Sequence, residues 1–210
     1  MKLQVALDTL SLEAALQLLE KIEPFVDIVE VGTPFIIEEG LKPVREIKKR
    51  YPNMTVLADV KIIDGASIEA KSAFEAGADI VTVVGLANEQ TIKDTIDCAR
   101  MYQKEVLVDF IAADVSSLAK RLEPLGADYF CVHTAVDVQG QEAGPLAELI
   151  TLKKSVSIKT AVAGGVRLDS IEEIAKQHPD ILIVGSAITN ADDPQMVASR
   201  MKDIISGCSS

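Results

Sequence analysis

Strict alternation of short β-branched apolar runs with amphipathic stretches predicts an α/β fold with a parallel sheet. Three observations make it a single (β/α)8 TIM barrel over residues 1–210. The strand-helix phrase occurs eight times in 210 residues, and about 26 residues per unit lies at the lower end of what such a barrel needs. The turn after the first run, Leu7-Asp8-Thr9-Leu10-Ser11, lacks the GxGxxG glycines that an open dinucleotide-binding sheet wants there. No linker, low-complexity stretch or shift in composition marks a boundary, so one domain is the economical reading.

Each element follows from its own residues. The first strand, residues 4–8, leads into a helix at 11–23, where Leu12, Ala15, Leu16 and Leu19 recur at helical spacing behind a Ser-x-Glu start and Pro24 stops the pattern. The second strand, 27–32, precedes one long helix at 35–50. The third strand, 55–61, precedes a helix at 67–76; the fourth, 80–85, one at 88–103; the fifth, 105–110, one at 115–125. Strand six is expected at 129–134 with a helix at 145–152, strand seven at 157–163 with a helix at 168–177, and strand eight at 181–186 with a helix at 194–205. In Ala76-Gly77-Ala78-Asp79 and Leu125-Gly126-Ala127-Asp128 a glycine stands where a helix turns into the next strand. The tail, 206–210, is expected to fray.

Composition limits the classes of function. Hydrophobic residues make up 48% and charged residues 25%, ordinary for one substantial aliphatic core. Aromatics are 4% and Trp is absent, which argues against stacking platforms for single-stranded nucleic acid. With 21 basic and 32 acidic residues the net charge of -11 repels phosphate backbones and anionic bilayers, so neither nucleic acid nor a membrane is expected as a partner. A small anion stays admissible, because a local site can reverse the global sign. Cys98, Cys131 and Cys208 form no CxxC pair or paired framework, which fits a reducing compartment and structural thiols. Asp8 interrupts the N-terminal apolar stretch before it can serve as a signal-peptide core, and no apolar run approaches the roughly 18 residues of a membrane span, so a cytoplasmic protein is expected.

In such a barrel the reacting groups stand at the C-terminal ends of the strands. Those ends are polar: Asp8 after strand one, Glu30 on strand two, Asp59 and Lys61 on strand three, Asp109 on strand five and His133 on strand six. Any one of them could simply mark a strand's exit into solvent; together they describe one shared polar mouth. In Ala58-Asp59-Val60-Lys61-Ile62-Ile63-Asp64, Asp59 and Lys61 are two apart and share a face, while Asp64 falls on the loop or first helical turn. A lysine held among carboxylates stays charged and suits a developing oxyanion; a structural ion pair at the rim is the alternative. Glu30, inside an apolar run, costs stability unless it is paired or bound to a cation. With Asp59 one strand away it offers an oxygen-rich Mg2+ site completed by substrate and water, whereas His133 and His178 give no zinc-ligand spacing. His133, ending an apolar strand, suits a general base near neutral pH, with a satisfied core histidine as the other reading. His178, in the loop before strand eight, is expected to be structural or solvated. Gly164 and Gly165 follow strand seven, and Gly185 and Ser186 follow strand eight. These are the two loops that bind phosphate in such barrels, so the four residues point to a phosphorylated substrate; tight-turn glycines are the alternative.

Asp-x-Lys-x-x-Asp after the third strand, with Asp8 after the first and paired glycine loops at the end, resembles the orotidine 5'-monophosphate decarboxylase superfamily over essentially the whole chain. Glu30 in Val-Glu-Val-Gly and His133 in Val-His-Thr are similar to its metal-dependent branch. Members of that branch either add formaldehyde to D-ribulose 5-phosphate or decarboxylate 3-keto-L-gulonate 6-phosphate. In the decarboxylating members an arginine stands three residues after the strand-six histidine. Here that position is Val136, and His133-Thr134-Ala135-Val136-Asp137-Val138-Gln139 is similar to the His-Thr-Gly-Tyr-Asp-Leu-Gln of the formaldehyde-adding members.

The resemblance therefore implies aldol addition of formaldehyde to D-ribulose 5-phosphate, giving D-arabino-3-hexulose 6-phosphate. It implies Mg2+ on Glu30 and Asp59, His133 as the base at C1, and Lys61 beside the enediolate. Asp8 and Asp64 would orient the lysine and the sugar hydroxyls, and Asp109 would support the polar network. It further implies a homodimer in which Asp64 serves the neighbouring subunit's site. The decarboxylase is the alternative within the branch; a barrel that binds a sugar phosphate without turnover is the alternative of another class, against which the intact polar set speaks.

Overall fold

The computed structural model describes residues 1–139 and 144–208. The alternating apolar runs become β1 (Lys2–Leu7), β2 (Ile28–Val31), β3 (Thr55–Ile62), β4 (Ile80–Val84), β5 (Glu105–Asp109), β6 (Tyr129–His133), β7 (Lys159–Ala163) and β8 (Ile181–Val184). Each pairs in parallel with the next, and β8 returns to β1, so the barrel closes in chain order and leaves no sheet edge. The expected (β/α)8 barrel is the fold.

The intervening helices are α1 (Leu12–Ile22), α2 (Thr33–Glu39), α3 (Lys42–Arg50), α4 (Ala66–Glu75), α5 (Glu89–Tyr102), α6 (Val115–Leu122), α7 (Leu146–Ser155), α8 (Ile171–Ala175), α9 (Ser186–Thr189) and α10 (Pro194–Gly207). Ser11 caps α1 by accepting from the Ala14 amide at 3.2 Å.

Several boundaries depart from the sequence expectation. The single helix expected at 35–50 is two, because Gly40 adopts φ 61 and ψ -149, a conformation open to glycine, and Pro43 then sits in the first turn of α3. Pro24 and Pro124 end α-helical hydrogen bonding, yet the chain continues through 3-10 turns at Glu23–Phe25 and Glu123–Leu125. The helix expected at 168–177 shrinks to α8. Strand eight stops at Val184, and Ser186 instead opens the short α9. Ser206 and Gly207 extend α10 rather than fraying, while positions 209 and 210 lie outside the described residues.

Inside the barrel, Ile28, Leu57, Ile80, Leu107, Tyr129, Ala161 and Ile181 belong to one apolar cluster separate from the larger layer between strands and helices. Two residues further along four consecutive strands the inward position turns polar: Glu30 follows Ile28, Asp59 follows Leu57, Thr82 follows Ile80 and Asp109 follows Leu107. An aliphatic floor thus carries a polar tier.

The opposite end of the barrel is fastened by four aspartates at the starts of the even-numbered strands. The carboxylates of Asp27, Asp79, Asp128 and Asp180 accept from the amides of Leu3, Val56, Val106 and Thr160 at 2.8, 2.9, 2.8 and 2.8 Å. Each aspartate's own amide donates to the carbonyl of the same residue. Gly77 and Gly126, at φ 106 and 84, make the turns that deliver Asp79 and Asp128. Among the described residues no helix is long and apolar enough to cross a membrane.

Candidate active site

The polar tier opens into a cavity of about 730 Å³ at the C-terminal ends of the strands, within the range of small-ligand sites. Asp8, Glu30, Asp59, Lys61, Asp109, His133, Gly164, Gly165, Gly185 and Ser186 all line it. Asp64 does not: it is exposed on the loop before α4, outside the cavity of its own chain. His178 stands at the far end, with φ 51, its carbonyl accepting from Lys153 Nζ at 2.5 Å.

Lys61 is the hub. Its Nζ donates to Asp59 Oδ2 and to Asp109 Oδ2, both at 2.9 Å. Burial works against its charge, but the charges and hydrogen bonds of Asp59 and Asp109 outweigh that and push its pKa upward. Asp59 and Lys61 do meet as expected, though not through regular strand geometry. Lys61 has φ 46, and the β3–β4 register shifts between Ala58 and Ile62. A bulge therefore re-aims the lysine, and its amide donates to the Thr82 side-chain Oγ1 on β4 at 2.9 Å instead of to a main-chain carbonyl of that strand.

Asp109 also faces His133, whose Nδ1 stands 3.0 Å from Asp109 Oδ2 and 3.2 Å from Oδ1. A carboxylate can only accept, so Nδ1 carries a hydrogen, and in the neutral form of the ring the lone pair is at Nε2. Burial pushes Asp109 up, and the His133 hydrogen bond together with the charges of His133 and Lys61 overcomes it, leaving the carboxyl below its ordinary range.

The other side of the tier is short of positive charge. Glu30 is 8% exposed, and its carboxyl is raised well above its ordinary value by burial, then by the Asp59 charge and that of Asp8, against the weaker opposing pull of Gln4 and Lys61. Asp8 is likewise raised, by burial and then by Asp59. Its carboxylate lies over Gly32, where a Cβ would come within 2.0 Å of Oδ1. A divalent cation between Glu30 and Asp59 fits this deficit. Among the described residues no group of three His, Cys, Asp or Glu side chains could hold a metal, so protein ligands alone would not complete such a site.

In the loop after β7, Gly164 and Gly165 have φ 89 and 73, and a Cβ at Gly164 would lie 2.2 Å from the Thr134 carbonyl oxygen. Ser186 opens a helical turn, so its amide has no acceptor within that turn.

Sequence reasoning passed over several partners. Thr33 and Thr82 hydroxyls donate to Asp59 at 2.8 Å each. Gln4 Nε2 donates to Glu30 Oε2 at 2.6 Å. Arg167 brings a cation to the rim beside the glycine loop, and Cys131, read as structural, lines the cavity. Gln4 and Thr82 were findable as polar residues inside otherwise apolar parallel strands.

A family model described as orotidine 5'-phosphate decarboxylase / HUMPS family matches residues 1–201. The chain is 45% identical over 207 residues to a 3-hexulose-6-phosphate synthase of Bacillus subtilis, covering 98% of this chain and 99% of the relative. Among solved structures it is similar to the 3-hexulose-6-phosphate synthase of Salmonella typhimurium, with a TM-score of 0.97, 42% identity and coverage of 99% of this chain and 100% of that one. It is also similar to a 3-keto-L-gulonate-6-phosphate decarboxylase of Vibrio cholerae, with a TM-score of 0.85, 27% identity and coverage of 98% and 97%.

Proposed function

Because the chain belongs to the orotidine 5'-phosphate decarboxylase / HUMPS family, we propose that it catalyses the Mg2+-dependent aldol addition of formaldehyde to D-ribulose 5-phosphate, giving D-arabino-3-hexulose 6-phosphate through an enediolate. The single observation that carries this reading is the His133–Asp109–Lys61 chain. It sets a base and a fixed cation side by side in one cavity, as removal of a carbon-bound proton requires.

Glu30 and Asp59 would hold Mg2+, which supplies Lewis-acid polarisation of the substrate carbonyl. His133 Nε2 takes a proton from C1, and Lys61 Nζ stands beside the oxygen on which negative charge grows. C1 then bonds to the formaldehyde carbon, and the proton held on His133 is available to the alkoxide that forms. Gly164, Gly165, Gly185 and Ser186 offer main-chain amides to the phosphate, with Arg167 adding charge at the rim. Asp8, beside Asp59 and Lys61, orients the lysine and the sugar hydroxyls.

The exposure of Asp64 outside its own cavity supports its service to a second copy. Ile63 and Leu86 on the loops after β3 and β4 and Ile68 in α4, exposed by 56, 55 and 75%, give this side of the barrel an apolar surface that a homodimer would cover. The reading makes 1–210 one catalytic domain of a cytoplasmic enzyme.

The test is consumption of ribulose 5-phosphate and formaldehyde with Mg2+, run beside carbon dioxide release from 3-keto-L-gulonate 6-phosphate, each repeated with EDTA. Aldol turnover lost on chelation supports the proposal. Faster decarboxylation than aldol addition, or no turnover of either substrate, overturns it.

A further inference from the structure

Two carboxylates are assigned to the cation, and the fold holds them in very different ways. Asp59 is fixed from three sides, by the hydroxyls of Thr33 and Thr82 and by Lys61 Nζ. Glu30 has no such frame. Its register partner on β1 is Ala6 and its partner on β3 is Leu57. Neither side chain can donate a hydrogen bond, so the flanking strands leave the carboxylate unsupported at its own level.

The support comes from below. Gln4, on β1 and one inward position before Ala6, is fully buried. Its Nε2 reaches Glu30 Oε2 at 2.6 Å, the one side-chain hydrogen bond recorded to Glu30 among the described residues. The amide's other end is as informative. Among the described residues, Gln4 Oε1 is buried with no hydrogen-bond partner, in a residue that lines the cavity. An orphaned buried carbonyl oxygen costs about 1–3 kcal/mol, and leucine or isoleucine, as on the strands around it, would avoid that cost. A glutamine here has a use that packing does not supply.

We propose that Gln4 is a positioning residue for the cation site. Its Nε2 fixes the Glu30 carboxylate so that the remaining oxygen is presented to a divalent cation, and its Oε1 accepts from a water on the floor of the cavity. The inference rests on the reading of Glu30 as a cation ligand. Outer partners that orient a ligating side chain typically change metal affinity by about 10–100-fold when removed.

The experiment uses Mn2+ as the probe, its binding followed by the electron paramagnetic resonance of the free ion, in the native chain and in the Gln4→Met, Gln4→Leu and Glu30→Gln variants. Melting temperature and binding of inorganic phosphate are measured on the same samples. Expected is a loss of Mn2+ affinity of about 10–100-fold in both Gln4 variants, with phosphate binding unchanged and melting temperature equal or higher. Native Mn2+ affinity in either folded Gln4 variant overturns the inference, as does a loss that merely follows a lowered melting temperature. Absence of Mn2+ binding to the native chain, or native affinity in Glu30→Gln, instead overturns the assignment of Glu30 on which the inference depends.

Discussion

Asp109 accepts from His133 Nδ1 at 3.0 Å while the same Oδ2 receives Lys61 Nζ at 2.9 Å, so one carboxylate, 2% exposed, orients both the imidazole and the ammonium. Asp109→Asn replaces one acceptor oxygen by a donor that faces either an ammonium or an N–H. Loss of that orientation is expected to slow exchange of the C1 proton of ribulose 5-phosphate by about 100-fold or more, with Mn2+ affinity retained. His133→Ala should abolish the exchange. Exchange by NMR in deuterated buffer measures both, and native exchange in Asp109→Asn would remove Asp109 from this role.

Asp64 and His133 belong to different places in one chain, one exposed and one in the cavity. If the site is shared between subunits, Asp64→Ala and His133→Ala are each inactive alone. Unfolded together and refolded as a mixture, they should regain about a quarter of native activity, because half the dimers are mixed and each holds one intact site. No recovery, with mixed dimers demonstrated by native mass spectrometry, would place Asp64 outside the site.

The two glycines after β7 should respond unequally to alanine. Among the described residues the left-handed backbone is the only obstacle at Gly165, the nearest atoms to an added Cβ being 3.9 Å away on Gln139; Gly165→Ala should cost about 1–2 kcal/mol. At Gly164 the Cβ would also meet Thr134 O at 2.2 Å. Gly164→Ala should therefore lose more stability and raise KM for the phosphorylated substrate. Urea midpoints and phosphate titration compare the pair, and equal effects would show that the close approach to Thr134 is easily relaxed.

Asp79 links stability to pH at the opposite end of the barrel. Burial pushes its carboxyl up, but hydrogen bonds from Lys104 at 2.6 Å, Lys48 at 2.7 Å and the Val56 amide at 2.9 Å hold it below the ordinary 3.8. A depressed folded value means stability that is fully present above 3.8 and is lost as pH falls through the lower folded value. Asp79→Asn should cost about 2 kcal/mol at pH 7, and the gap to the native chain should narrow below 3.8. Urea midpoints across that range check the sign; a gap that widens in acid would refute it.

Val136 is 75% exposed at the cavity mouth, three residues beyond His133. Val136→Arg places a proton donor there and should raise decarboxylation of 3-keto-L-gulonate 6-phosphate. Carbon dioxide release measures it, and no increase would remove this position as the discriminator between the two reactions.

Much of the site was legible as one-dimensional pattern. Parallel strands buried on both faces read as apolar runs, so Glu30, Asp59, Asp109 and His133 stood out as interruptions, and the known polarity of such barrels placed them at one end. The same logic applied to Gln4 in Leu3-Gln4-Val5 and to Thr82 in Val81-Thr82-Val83 would have found both. Arg167 gave no comparable signal, since a charged residue in a loop is ordinary.

The sequence by itself determined the order of elements, the closed barrel and the ring of polar strand ends, because local periodicity and short connections leave few topologies. Only the tertiary structure decided which partners those groups have. The bulge that turns Lys61 toward Asp109, the Gln4 bond that holds Glu30 from the tier below and the exposure of Asp64 depend on register and curvature across strands far apart in the chain. No local pattern encodes those distances.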